Sequence, residues 1–145
     1  MTREKSCGAL VFRKDESDGK LYIVLIRHIH GRFFSFPKGH VEKGESEIMT
    51  AEREVFEETS LKIKIKSDFR TTVNYSPSYK VEKEVVYFLA ETRQINVIPR
   101  PGEIEKVRWV PVEQALDVLT HENDKRVFRE ALSEIQKQYE PAYHS

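Results

Sequence analysis

Apolar and polar positions along this chain alternate, cluster and repeat in a way that predicts short strands, one central helix and a helical C-terminal end. Residues 6–12 are small and apolar and read as a strand. Residues 15–19, Asp-Glu-Ser-Asp-Gly, read as a polar turn closed by glycine. Residues 21–26 are continuously apolar and partly β-branched, as expected of a strand buried on both faces. A short aromatic strand is expected over 33–36, stopped by Pro37. Residues 46–59 predict a helix with Ser46 or Glu45 near its cap. Residues 61–65, Leu-Lys-Ile-Lys-Ile, alternate strictly and predict a half-exposed strand. Two antiparallel strands are expected over 68–75 and 81–90, joined by the loop 76–80. Residues 99–102, Pro-Arg-Pro-Gly, make a rigid connection, and 107–110 a short strand. Pro111 opens a helix to about residue 119, where a first-turn proline is tolerated. Apolar residues at 127, 128, 131, 132 and 135 stripe a last helix over 123–139, with fraying expected beyond Tyr139. This order predicts an α/β fold, an α/β/α sandwich around a mixed sheet, forming one domain over residues 1–145.

Composition narrows the classes of function. The 145 residues are 39% hydrophobic and 10% aromatic, enough for a sizeable core. Lys plus Arg and Asp plus Glu both number 24, so no global field favours nucleic acid or an anionic membrane. No stable nucleic-acid partner and no membrane contact are expected. The apolar run 21–26 is far short of a span, and residues 1–5 do not lead into an apolar signal region. A cytoplasmic protein is expected. Cys7 is the sole cysteine, which excludes an internal disulfide; it reads as a small buried residue, with a reactive thiol as the minor alternative.

The chemistry concentrates in residues 39–61, where a glycine-bearing loop runs into the central helix. At about 100° per residue, Glu54, Glu57 and Glu58 share one arc, while Ile48, Val55 and Phe56 fall on another. One face is thus free to pack on a core while the other gathers negative charge. Like charges three and four residues apart repel, so such a helix either faces water or holds a cation. Carboxylate oxygens suit Mg²⁺, which keeps several waters and is completed by substrate phosphates. A solvated acidic helix face is the bland alternative, and it leaves Gly39, Glu45 and Arg53 unexplained.

The stretch resembles the Nudix box: Gly, five residues, Glu, seven residues, Arg-Glu, an aliphatic, any residue, Glu-Glu, any residue, Gly, an aliphatic. Gly39, Glu45, Arg53, Glu54, Val55, Glu57, Glu58 and Leu61 match in register, and Ser60 stands where the box has glycine. That glycine follows the helix and favours a left-handed backbone, so a serine costs on the order of 1 kcal/mol there. The resemblance implies the Nudix fold and a nucleotide substrate. It also implies Mg²⁺, with Mn²⁺ as a substitute, held by Glu57, Glu58, Glu54 and the Gly39 carbonyl. Glu54 is ligand or base in this reading, and Arg53 orients it; the bland role of Arg53 is a helical pair with Glu57. Lys38, just outside the box, is placed to meet a phosphate or is simply solvated. Glu103, six residues before Trp109, resembles a glutamate that reaches the metal in many Nudix proteins as ligand or base. Glu105 competes with it. Trp109 itself reads as core.

Residues 6–12, 36–40, Asn74-Tyr75 and 83–91 resemble the diadenosine tetraphosphate hydrolase branch. That branch implies that Tyr75 stacks on adenine, Lys83 contacts phosphate and Tyr87 lines the same site. The physical sense is an aromatic face for stacking and a mobile point charge for phosphate. Strand core for the two tyrosines and a solvated edge for Lys83 are the alternatives. The branch implies cleavage of diadenosine tetraphosphate to ATP and AMP by water. Nucleoside triphosphates, 5′-triphosphorylated RNA and diphosphoinositol phosphates stay open as substrates of the same chemistry. A non-catalytic nucleotide-sensing domain is the reading from another class, with Ser60 in its favour and the intact carboxylates against it. Oligomeric state is not readable.

Overall fold

The apolar runs do become the strands of one sheet. A computed structural model describes residues 2–139; the expectation about residues beyond Tyr139 lies outside them. In chain order the elements are β1 (Thr2–Lys14), β2 (Leu21–His28), β3 (Lys38–His40), α1 (Glu47–Thr59), β4 (Arg70–Ser78), β5 (Val81–Glu91), β6 (Ile104–Pro111), α2 (Val112–Val118) and α3 (Glu122–Tyr139). The sheet runs β4-β5-β1-β2-β6, with β3 paired to β1. It is mixed: β1 and β5 are parallel, and the other pairs are antiparallel.

The alternation of side chains along each strand divides the core in two. Leu10, Phe12, Ile23, Leu25, Val85, Tyr87 and Leu89 pack with Ala115 and Leu119 from the α2 end and with Val127, Phe128, Ala131 and Ile135 of α3. Cys7, Ala9, Val11, Val24, Val86 and Phe88 pack on the other face with Ala51 and Val55 of α1. The α/β/α sandwich follows, with β2 buried on both faces as its continuous apolar run requires. Cys7 is fully buried, and burial pushes its thiol up to about 11. Among the described residues, no helix is long and apolar enough to cross a membrane.

Three local expectations are corrected. Residues 61–65 are not a strand. Leu61 and Ile63 are buried and Lys62 and Lys64 exposed, but side chains take the backbone donors: Leu61 N–H goes to Thr59 Oγ1, Lys62 N–H to Gln94 Oε1 and Ile65 N–H to Glu52 Oε2. Residues 33–36 form only isolated bridges, Ser35 with Ile26 and Phe34 with Leu119. The strand is β3, past Pro37. It fills the first half of a β1 edge whose second half carries β2, with Gly8 facing Lys38 and Phe12 facing Ile23. No Cβ fits at Gly8, where it would lie 2.1 Å from the Pro37 carbonyl oxygen.

The third correction concerns α1. Its inward face is Thr50, Ala51, Glu54, Val55, Glu58 and Thr59, while Ile48 and Phe56 are exposed. The acidic arc therefore points partly into the protein. Ser46 is the N-cap, its Oγ accepting from Met49 N–H. Ser60 ends the helix in the left-handed region at φ 67°, as expected for the box position.

Glu47 ties α1 to the sheet. It accepts a bidentate pair from Arg70 of β4 at 2.9 Å for each bond and an ion pair from Lys5 of β1. The Arg70 hydrogen bonds, then that of Lys5, hold its carboxyl down at about 2, against an ordinary 4.5. A carboxyl with a depressed folded pKa stabilises above its unfolded pKa and loses that contribution as pH falls toward the folded value. Glu47→Gln is expected to lower stability at neutral pH by about 1 kcal/mol, given its partial exposure. The deficit should shrink steadily below about pH 4.5. Urea midpoints of both proteins across that range check it; a deficit that does not change with pH counts against the pair.

Candidate active site

The site forms where the inward acidic face of α1 meets β3. Gly39 is the point of closest approach: a Cβ there would lie 2.1 Å from the Glu54 carboxyl carbon. Only glycine lets the Glu54 carboxylate lie against the β3 backbone. Glu58, 1% exposed, accepts one hydrogen bond, from Lys38 N–H at 3.0 Å. Burial, opposed by that bond and reinforced by Glu54 and Glu103, pushes its carboxyl up to about 8. Burial raises Glu54 as well, against the pull of Arg53.

Arg53 is the counter-charge. It donates from Nε and Nη2 to the two Glu45 oxygens at 2.6 and 3.0 Å, and from Nη1 to Glu54 at 2.7 Å. Nη1 also reaches Glu57 at 3.2 Å, and Nη2 the His40 carbonyl at 3.0 Å. Glu45, gripped first by Arg53, is held at about 2 and receives Thr50 Oγ1–H and Glu42 N–H besides. The helical Arg53–Glu57 pair exists, but it is one contact of a guanidinium that also ties the box loop to the helix.

Glu103 reaches the same place from the loop before β6. One ligand atom each from His28, Glu58 and Glu103 lie within 4.8 Å of one another. Glu105, the competing candidate, instead pairs with Arg27 at the sheet edge. Trp109 donates its indole N–H to the Ile95 carbonyl and packs on the α1-side core, as its reading as core expects. Two contributors escaped the sequence. Arg100 bridges Glu57 at 3.0 Å and Glu103 at 3.2 Å, from the segment read only as a rigid connection. His28 ends β2 beside Ile104, and no spacing rule connects it to the box. Burial, then the Lys38 charge, lowers its pKa, against Glu103.

The expected nucleotide contacts divide. Tyr75 and Lys83 are opposite each other on β4 and β5, so they share one face, and Tyr75 is 41% exposed. Lys38 lies close enough to Lys83 for their charges to interact, and its pKa falls through burial first and Lys83 next. Tyr87 is 1% exposed, on the same face of β5 as Val85 and Leu89, with Phe36 edge-on at 5.3 Å. The strand pattern gave its face but not that Phe36 covers it.

The residues fit a divalent cation. Several carboxylates crowd one partly buried corner, two of them raised by burial, and Glu58 keeps an oxygen that no donor among the described residues reaches. Hard oxygen donors with room for water suit such an ion.

Comparison with known proteins bears on the family of the chain. Residues 2–132 match the NUDIX domain. The chain is 31% identical over 135 residues to the asymmetrical bis(5′-nucleosyl)-tetraphosphatase of Mus musculus, covering 87% of this chain and 91% of that protein. An 8-oxo-(d)GTP phosphatase of Mycolicibacterium smegmatis is 33% identical over 96 residues, 66% of this chain and 29% of that protein. Among solved structures, a C. elegans Ap4A hydrolase binary complex superposes with a TM-score of 0.82 at 25% identity, covering 92% of this chain and 98% of that one. With the box residues gathered at one corner of this fold, the chain belongs to the Nudix family of hydrolases.

Proposed function

We propose that the protein is a Mg²⁺-dependent dinucleoside polyphosphate hydrolase that cuts diadenosine tetraphosphate into ATP and AMP. The observation that carries this reading is the adjacency of two sets of residues: the carboxylate corner, and the Tyr75–Lys83 face joined to it by Lys38. The similarity to the mouse asymmetrical tetraphosphatase supports it. The domain acting is the chain as a whole, residues 1–145.

Glu54, Glu57, Glu58 and the Gly39 carbonyl would hold the cation. When bound, it supplies charge neutralisation at phosphate oxygens and a lowered pKa for a coordinated water. The chain's own groups do the rest. Arg53 keeps Glu54 against Gly39. Glu54 or Glu103 accepts the proton of the attacking water. The water oxygen bonds to phosphorus as the bridging P–O bond breaks, and the leaving phosphate keeps that electron pair. Lys38 and Lys83 neutralise phosphates away from the broken bond, and Tyr75 stacks on one adenine. Tyr87, buried on the same face of β5 as Lys83, would line this face of the site. A nucleoside triphosphate substrate is the second reading, favoured by the similarity to the 8-oxo-(d)GTP phosphatase.

Three outcomes test the reading. Glu58→Gln is expected to lower kcat by at least about 100-fold while the fold persists, since it removes a carboxylate ligand for the cation and keeps the shape. Near-normal kcat with Mg²⁺ present would sink the assignment. Gly39→Ala is expected to displace the flexible end of Glu54 rather than backbone, so kcat falls about tenfold or more while the melting temperature barely moves. Parallel kinetics and thermal melts check this, and unchanged kcat rejects the close approach as a catalytic requirement. Tyr75→Ala is expected to raise KM for diadenosine tetraphosphate by about 5- to 100-fold with a smaller effect on kcat, with Lys83→Met acting in the same direction. Chromatography of the wild-type products should give AMP and ATP. Two ADP molecules, or turnover of a nucleoside triphosphate alone, would move the protein to the second reading.

A further inference from the structure

A β-bulge separates Arg27 from His28 at the end of β2, so His28 falls opposite Ile104 out of step with the preceding ladder. Bulges redirect a side chain. This one brings the imidazole next to Glu103, the residue before Ile104. The turn that follows is tied on both sides: Ile29 N–H donates to the Glu103 carbonyl and Gly31 N–H to the His28 carbonyl, both at 2.8 Å. His30 is left-handed at φ 67°, and a Cβ on Gly31 would lie 3.0 Å from the His28 carbonyl oxygen. The backbone of His28 is therefore held, while its ring has no hydrogen bond, ion pair or ring contact among the described residues. One of its nitrogens and one carboxylate oxygen each from Glu58 and Glu103 lie within 4.8 Å of one another. Glu58 is 1% exposed and receives a single hydrogen bond, so its second oxygen is available.

We propose that His28 is a nitrogen ligand to a divalent cation shared with Glu58 and Glu103, and that this donor strengthens Mn²⁺ binding more than Mg²⁺ binding at the site. The proposal rests on the reading that the carboxylates hold a cation, and it adds a donor and a selectivity. Mg²⁺ sheds water reluctantly and takes oxygen ligands. An imidazole donor shifts preference toward transition metals. His28 also comes from β2 rather than from α1 or its loop, so β2, α1 and the loop before β6 converge on one ion.

Mn²⁺ is the probe, because its electron spin-echo envelope reports directly bound nitrogen. Wild-type protein with bound Mn²⁺ should show nitrogen modulation, and His28→Asn should lose it. In His28→Asn the Mn²⁺ Kd is expected to rise about tenfold while the Mg²⁺ Kd moves less than about twofold. A thermal melt confirms that the variant folds, as an exposed side chain allows. Bound Mn²⁺ without nitrogen modulation, modulation that survives His28→Asn, or equal weakening of Mn²⁺ and Mg²⁺ would overturn the proposal. Glu58→Gln separates the two ideas. Weakened binding of both metals upholds the carboxylate site. Unchanged binding of both overturns that site and, with it, Glu58 as a shared ligand, while the nitrogen modulation still decides whether His28 binds the metal. Absence of any bound Mn²⁺ in the wild type overturns both.

Discussion

The structure turns on a helix that presents carboxylates to the inside. Glu54 and Glu58 lie on the buried face of α1 beside Ala51 and Val55, so apolar packing and charge share one surface. Burying carboxylates is costly unless charges and donors meet them. Here Arg53 contacts Glu45, Glu54, Glu57 and the His40 carbonyl, Arg100 adds a second guanidinium, and Lys38 N–H caps Glu58. The rest follows from that requirement. β3 must be short and must end the β2 side of β1; Gly39 must lack a side chain; Gly8 must lack one too, so that Pro37 and Lys38 can cross it.

Even so, the compensation is incomplete. Glu58 is pushed up to about 8 and Glu54 is also raised, both by burial first. A corner arranged only for stability would relieve this with an amide or an apolar residue, since replacing buried charge is often neutral or stabilising. Retained, partly satisfied charge at the joint of a loop, a strand and a helix has the character of a site kept ready for a cation.

Much of this was legible because the box fixes spacing within one local segment. Gly39, Glu45, Arg53, Glu54 and Glu58 needed only a helix and its leading loop to meet, and Ser46 marked where that helix begins. The misreadings share a cause. Alternation in residues 61–65 states which side chains are buried, but a strand and an extended segment laid on a core give the same pattern. Only the partners of its N–H groups, Thr59, Gln94 and Glu52, tell them apart. The burial of Tyr87 has the same origin: period two gives its face, and coverage by Phe36 is a tertiary fact. Arg100 and His28 were missed because a loop and a bulge bring them in, and neither carries a periodic signal.

Ser60 shows how a departure from the box is absorbed. Its left-handed backbone is the conformation glycine adopts easily and serine adopts at a cost. The end of α1 offsets this locally. Ser60 N–H donates to the Phe56 carbonyl, and the Ser60 carbonyl accepts from Gln94 Nε2 at 3.0 Å. The same Gln94 takes Lys62 N–H, in the segment that follows the helix. The substituted position is thus integrated with the loop at 92–98. Serine there strains a helix terminus and leaves Glu54 and Glu58 with their partners. A degenerate scaffold kept only to sense nucleotides would be free to lose those carboxylates first, so the position of this departure favours a working hydrolase.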